Sequence, residues 1–174
     1  MLFETVRAVA DWMADPTYGI NAILAAAPLE AGVARAAAVT VSDDTRNAEV
    51  ARGQIPDTLP ALLVTTTATA ITMTSPTVRP YPADWLVELG IRYAAANVAT
   101  EVAFNDTAQV LRAVTKSLGA LWTTAAGEAA RLRNQVQLIE LREIRTELYQ
   151  ANDDARVTLG MIIPIRVRDL YALS

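Results

Sequence analysis

The chain has no cysteine and no histidine. That excludes disulfides, thiolate and imidazole metal sites, Ser-His-Asp and Cys-His catalysis, and imidazole acid-base work. Carboxylate, lysine and tyrosine chemistry stay open, as do cation sites made of oxygens. Lysine is nearly absent: fourteen of the fifteen basic residues are arginine. The seven glycines are scattered, and no G-x-S-x-G, P-loop or G-x-G-x-x-G occurs. No apolar run approaches the roughly 18 residues that a membrane helix needs. Glu4 and Asp11 come early, with no positive n-region and no A-x-A site, so no secretory signal is expected. The net charge of -4 argues against a general nucleic-acid binder, which ordinarily carries a basic balance.

What is present describes a globular protein. The apolar fraction is 52% and the charged fraction 20%, which separates the chain from disordered sequences. Its 174 residues fit a single domain, 1–174, and can bury a sizeable core without staples. The clearest pattern is the last strand. Val157, Leu159, Met161, Ile163, Ile165 and Val167 alternate without a miss, and alternate side chains of a strand share a face. The other face reads Thr158, Gly160, Ile162, Pro164, Arg166 and Arg168. Pro164 removes a ladder donor, which favours an edge strand or a bulge.

Upstream, Leu2 to Ala14 has the spacing of a helix, with Leu2, Val6, Val9 and Met13 recurring. Asp15-Pro16 ends it and is expected to start the next helix, as N-cap and first helical residue. That second helix is expected over Tyr18 to Ala27, with Ile20, Ile23 and Leu24 inward. Ala36 to Val41 is a candidate short strand, and Ser42-Asp43-Asp44 is a turn signal. The stretch 35–60 is expected to hold an extended arm or loop. Ala61 to Thr74 and Trp85 to Tyr93 read as strands paired in a hairpin across a proline-rich link. Asp106 to Trp122 reads as a helix whose stripe is Val110, Leu111, Val114, Leu118, Leu121 and Trp122. Asn105 or Asp106 is its expected cap, so Asn105-Asp106-Thr107 reads as a helix start and not a glycan site. Val136 to Tyr149 fits either a helix or a strand that changes phase at a bulge. The strand is preferred, because 150–155 then closes a hairpin onto Val157.

Candidate chemistry is sparse. Asp43-Asp44 and Asp153-Asp154 are carboxylate pairs that could hold Mg²⁺ or Ca²⁺, but both sit at turns, where aspartate is ordinary. Lys116-Ser117 has the residue types of a Ser-Lys dyad, yet neighbours on a helix do not face each other. Trp12, Trp85, Trp122 and Tyr93 fall on apolar stripes, so core packing outweighs a ligand pocket. Glu140, Arg142, Glu143, Arg145 and Glu147 form a mixed charge run. On a helix it would be a solvated face; on a strand it would be an unusually charged sheet surface, suited to a subunit contact or a polar lumen. Arg166, Arg168 and Asp169 raise the same choice. No catalytic, cofactor or metal residue is assigned, and neither an enzyme nor a cofactor is expected.

Certain phrases, in order, resemble a known family. They are the opening helix; Asp15-Pro16-Thr17-Tyr18-Gly19-Ile20-Asn21-Ala22-Ile23-Leu24; the strand Trp85 to Tyr93; the segment Val110-Leu111-Arg112-Ala113-Val114; and the closing Ile165-Arg166-Val167-Arg168-Asp169. The chain resembles the tail terminator (tail completion) proteins of tailed bacteriophages, and the likeness spans most of it outside Leu29 to Pro60. The resemblance implies an α+β fold: a mixed or antiparallel sheet of about four strands with helices packed on one face. It implies a homohexameric ring that caps the last ring of tail tube protein and docks to the head-tail connector, with DNA passing through unbound. The protein would be made in the host cytoplasm and reside in the tail or neck of the virion, without a membrane partner. Glu140, Arg142, Glu143, Arg145, Arg166, Arg168 and Asp169 would then be subunit-interface or channel residues. Another neck, head-completion or tail tube protein is the neighbouring reading. A small ligand-binding α+β domain is the reading from a different class.

Overall fold

The computed structural model describes residues 2–47, 60–67, 83–94, 100–133, 136–141, 145–150 and 157–169. Among them the chain folds as α+β. Helix α1 is Leu2–Met13, α2 Ile20–Ala26, α3 Thr100–Thr123 and α4 Ala125–Arg133. Strands β1 (Thr40–Asp43), β2 (Ala61–Thr67), β3 (Ala83–Ala94), β4 (Val136–Leu141), β5 (Arg145–Gln150) and β6 (Val157–Asp169) form one mixed sheet. Its order is β1-β2-β3-β6-β4, and β5 lies beside β6 further along. Only β1 and β2 run parallel. The class is the expected one. The sheet has six strands, two beyond the four expected, because β1 adds an edge and Val136 to Tyr149 supplies two strands.

The core explains the patterns. Val6, Val9, Ala10 and Met13 of α1 are buried, as helical spacing requires. They meet Leu62 and Val64 of β2, Val87, Leu89 and Ile91 of β3, and Val110, Val114, Leu118 and Leu121 of α3. α1 lies over β1 and β2, α3 lies over β3, and α2 packs along α3. Trp12 is buried here, as expected. Its indole N–H donates to the Ser117 carbonyl at 2.8 Å, and its ring stacks on Tyr18 at 5.4 Å. Trp122 packs against the same core, with Arg131 over its ring at 5.8 Å. Trp85 and Tyr93 are positions of β3.

Register carries the core face across to β6. Val87, Leu89 and Ile91 stand opposite Ile165, Ile163 and Met161. Residues directly opposite share a face, so the odd-numbered row of β6 is on the helix side. Of the two places that Pro164 favoured, an edge strand or a bulge, the edge is not the one found. β6 has β3 on one side and β4 with β5 on the other. The proline instead falls at a break in the ladder. β4 ends opposite Ile165 and β5 begins opposite Ile162, which leaves Ile163 and Pro164 between them. The phase change expected within Val136 to Tyr149 is present, since the β4 register shifts between Leu138 and Glu140.

Two helix starts differ from expectation. The Asp15 carboxylate accepts from the Thr17 and Tyr18 amides, each at 2.8 Å, and so caps the turn between the helices. α2 starts one turn later, with Gly19 as its N-cap. Glycine is needed there because a Cβ would lie 2.3 Å from the Asp15 carbonyl oxygen. α3 starts at Thr100, so Asn105 and Asp106 are internal to it and neither is its cap.

The first part of the stretch 35–60 lies against the helices. Side chains hold the segment before β1 against the helices. Asn21 pairs with both backbone groups of Val39, donating at 2.9 Å and accepting at 2.8 Å. Gln109 of α3 donates to the Ala34 carbonyl at 2.9 Å and accepts from the Ala36 amide at 3.0 Å. Arg35 donates to the Leu24 carbonyl. These amides replace a missing strand partner, which is why 34–39 stays extended without joining the sheet. β1 follows at Thr40, displaced from the expected Ala36 to Val41. Residues 48–59 of the expected arm lie outside the described residues.

Candidate functional site

With its helix side filled, the sheet offers one other face, and register determines its composition. Even-numbered positions of β6 and β3 share that face. Arg168 stands opposite Asp84 of β3 and Gln137 of β4. Arg166 stands opposite Leu86 and Glu140. Glu88 faces Pro164, and Arg92 faces Gly160. On β5, Arg145 stands opposite Ile162 and Glu147 opposite Gly160. Charges of opposite sign therefore occupy directly opposed positions across β3, β6 and β4. Such cross-strand pairs stabilise a sheet by roughly 0.2–1 kcal/mol each.

The expected interface residues are thus only partly gathered. Glu140, Arg145, Arg166 and Arg168 are positions of the face away from the helices. Asp169 does not: it stands opposite Ala83 and Val136, in the odd-numbered row on the helix side. Arg142 and Glu143 lie outside the described residues. The β2 end of that face is different in kind. Ala61 and Leu63 are buried there as a separate apolar pair, opposite Arg92 and Gly90.

A second polar cluster joins α1 to the end of β1. Asp43 is buried, and its carboxylate accepts from the Thr45 hydroxyl and from the Thr45 and Arg46 amides, the amides at 3.0 Å. The Arg46 side chain bonds Asp43 and also reaches Asp11 of α1 at 2.8 Å. Arg7, one turn before Asp11, donates to the Thr45 hydroxyl at 2.9 Å. The turn reading of Asp43-Asp44 therefore holds for Asp43. Arg46 and its link to Asp11 were not anticipated, and the sole sequence signal was the Ser42-Asp43-Asp44 turn itself. Among the described residues no three potential metal ligands come together. The pair Asp153-Asp154 lies outside the described residues. Lys116 and Ser117 make no dyad, since Lys116 is exposed and Ser117 is fully buried.

Burial pushes the Asp43 carboxyl up, but the hydrogen bonds from Thr45 and Arg46 and the charge of Arg46 outweigh it. The group sits below its ordinary value of 3.8. As pH falls, the unfolded chain takes up this proton before the folded one does. The stabilisation is therefore complete above 3.8 and is lost as pH drops through the lower folded value. Asp43→Asn is expected to cost about 1.5–3 kcal/mol at pH 7, as hydrogen bonds to a charged group do. It should also flatten the acid limb of the stability profile. Urea midpoints at neutral and acidic pH check this, and an unchanged acid limb would refute it.

Against this geometry we compared the chain with known proteins. No protein-family description and no curated protein matches it. Among the described residues no helix is long and apolar enough to cross a membrane.

Proposed function

We propose that the chain is a structural ring subunit, a tail terminator of a tailed bacteriophage. It works by contact and not by catalysis. The ring closes the tail tube, meets the tube protein on one side and the head-tail connector on the other, and resides in the virion. The observation that carries this reading is the sheet face away from the helices, with opposed charge positions around Arg166 and Arg168. A face of that kind recognises a neighbour by complementary charge. The helices fill the other sheet face, so a neighbouring subunit would meet this one. The net charge of -4 also suits a channel through which DNA slides, because like charge suppresses sticking.

Native mass measurement tests the reading. A hexamer, alone or on addition of tail tube protein, is the expected result. A well-behaved monomer that stays monomeric with tube protein and binds a small molecule would overturn it. The small ligand-binding domain would then take its place.

A further inference from the structure

The described basic side chains divide into two groups. Arg7, Arg35, Arg46 and Arg131 each bond a partner within the chain: Thr45, the Leu24 carbonyl, two carboxylates and the Leu121 carbonyl. Arg112 and Lys116 form no side-chain hydrogen bond or ion pair among the described residues. Both are exposed, and they stand one helical turn apart on α3. Both also line one cavity of about 130 Å³ between α2 and α3.

The rest of that cavity is apolar. Leu24 and Ala113 are buried in its wall, and Ile23, Ala27 and Leu29 are half-buried around it. Among the described residues no carboxylate lines it. Gln109 does, but both ends of its amide are held by Ala34 and Ala36. Two like charges at this helical spacing repel each other. A bound anion would relieve that repulsion, and the described residues offer none at this place. Size narrows the occupant further. A cavity of about 150 Å³ takes a single benzene ring, so this one admits one bulky side chain and not a long acyl chain. Two cations on the rim match two carboxylates flanking that side chain, whereas a small monocarboxylate would engage one.

We propose that this cavity docks an acidic peptide segment of a partner protein, with one bulky apolar side chain as its anchor. The anchor seats against Leu24 and Ala113, and the flanking carboxylates meet Arg112 and Lys116. This surface lies on the helix side, so it is separate from the sheet face away from the helices.

Lys116 is the only lysine in the chain, so reductive ¹³C-methylation places a single side-chain reporter on the rim and keeps its charge. The probe is the capped tripeptide acetyl-Glu-Phe-Glu-amide. It is compared with the Lys-Phe-Lys and Glu-Ala-Glu peptides and with 3-phenylpropionate. A saturable shift of the Lys116 signal is expected with Glu-Phe-Glu alone, weakening as salt rises. Arg112→Gln and Lys116→Gln, with affinities read by calorimetry, should each weaken binding about twofold to fivefold, as exposed charge pairs do. Ala27→Leu, which fills the cavity from its rim, should weaken it more. Thermal melts of all three variants establish that they remain folded. Equal binding of Lys-Phe-Lys or of Glu-Ala-Glu would overturn the proposal, as would no saturable shift at millimolar peptide. Binding of 3-phenylpropionate as tight as that of the tripeptide would also overturn it, because the occupant would then be a free small acid.

Discussion

Replacing Trp12 with alanine is expected to cost about 3–5 kcal/mol, the range for removing a buried aromatic side chain. A domain of this size holds only about 5–15 kcal/mol in total, so the variant should stand near the edge of folding. The reason lies in what Trp12 joins. Its ring is buried between α1 and α3 and stacks on Tyr18 with an interplanar angle of 6°. Its N–H reaches across 105 residues to the Ser117 carbonyl. One side chain thus ties together the first helix, the turn capped by Asp15, and the central helix. Trp12→Phe keeps most of the apolar body and loses the N–H, which should cost about 1 kcal/mol beyond the lost volume. The acceptor is a backbone carbonyl, so Ser117→Ala should leave the bond in place. Ser117 Oγ is buried without a partner, so its removal should be neutral or stabilising. Thermal melts give the ranking. With about 2–4 °C per kcal/mol for a chain of this length, the alanine variant should melt at least about 6 °C below the parent. A melt within about 2 °C would mean that the α1–α3 contact contributes little.

The same residues show where the sequence was legible. Val87, Leu89 and Ile91 alternate apolar with polar or glycine positions, and a strand buried on one face can be read from that alone. α1 and the buried half of α3 were legible for the matching reason at helical period. The helix starts were not. Asp15 and Asp106 are the residue types that cap helices, but the rule says where a helix can begin and not where it must. Glu101 to Phe104 continue α3 upstream, because each residue added to a formed helix gains one hydrogen bond. Pro164 left two alternatives, an edge or a bulge, for a different reason. Its lost donor was visible in the sequence, whereas the gap between β4 and β5 that accommodates it belongs to the partner. Asn21, Gln109 and Arg46 act over separations of 18 to 75 residues. Nothing local distinguishes such side chains from solvated ones. The charged sheet face falls between these cases. Its residues were read from their run, but its membership depended on register, which set Asp169 on the other side.

Reversing Arg166 and Arg168 together is expected to abolish ring assembly while the subunit stays folded. Truncating one partner of a close charge pair at an interface costs about 2–5 kcal/mol, and each 1.4 kcal/mol is about tenfold in affinity. A ring repeats its interface at every subunit, so the losses compound. The register adds a complication, because Glu140 stands opposite Arg166 and Asp84 opposite Arg168 within one subunit. Loss of assembly could then reflect a weakened sheet and not a lost neighbour. A charge swap separates the two. Arg166→Glu alone opposes two carboxylates across β4 and β6, at a cost of up to about 1 kcal/mol within the subunit. Arg166→Glu with Glu140→Arg restores that pair with its polarity inverted, so the melting temperature should return toward the parent value. The neighbour in a ring presents a different patch, which the swap leaves unchanged. Assembly should therefore stay lost while stability recovers, as read by native mass and thermal melts on the same samples. Recovery of both together would assign the pair to the subunit's own sheet and remove this face from the assembly.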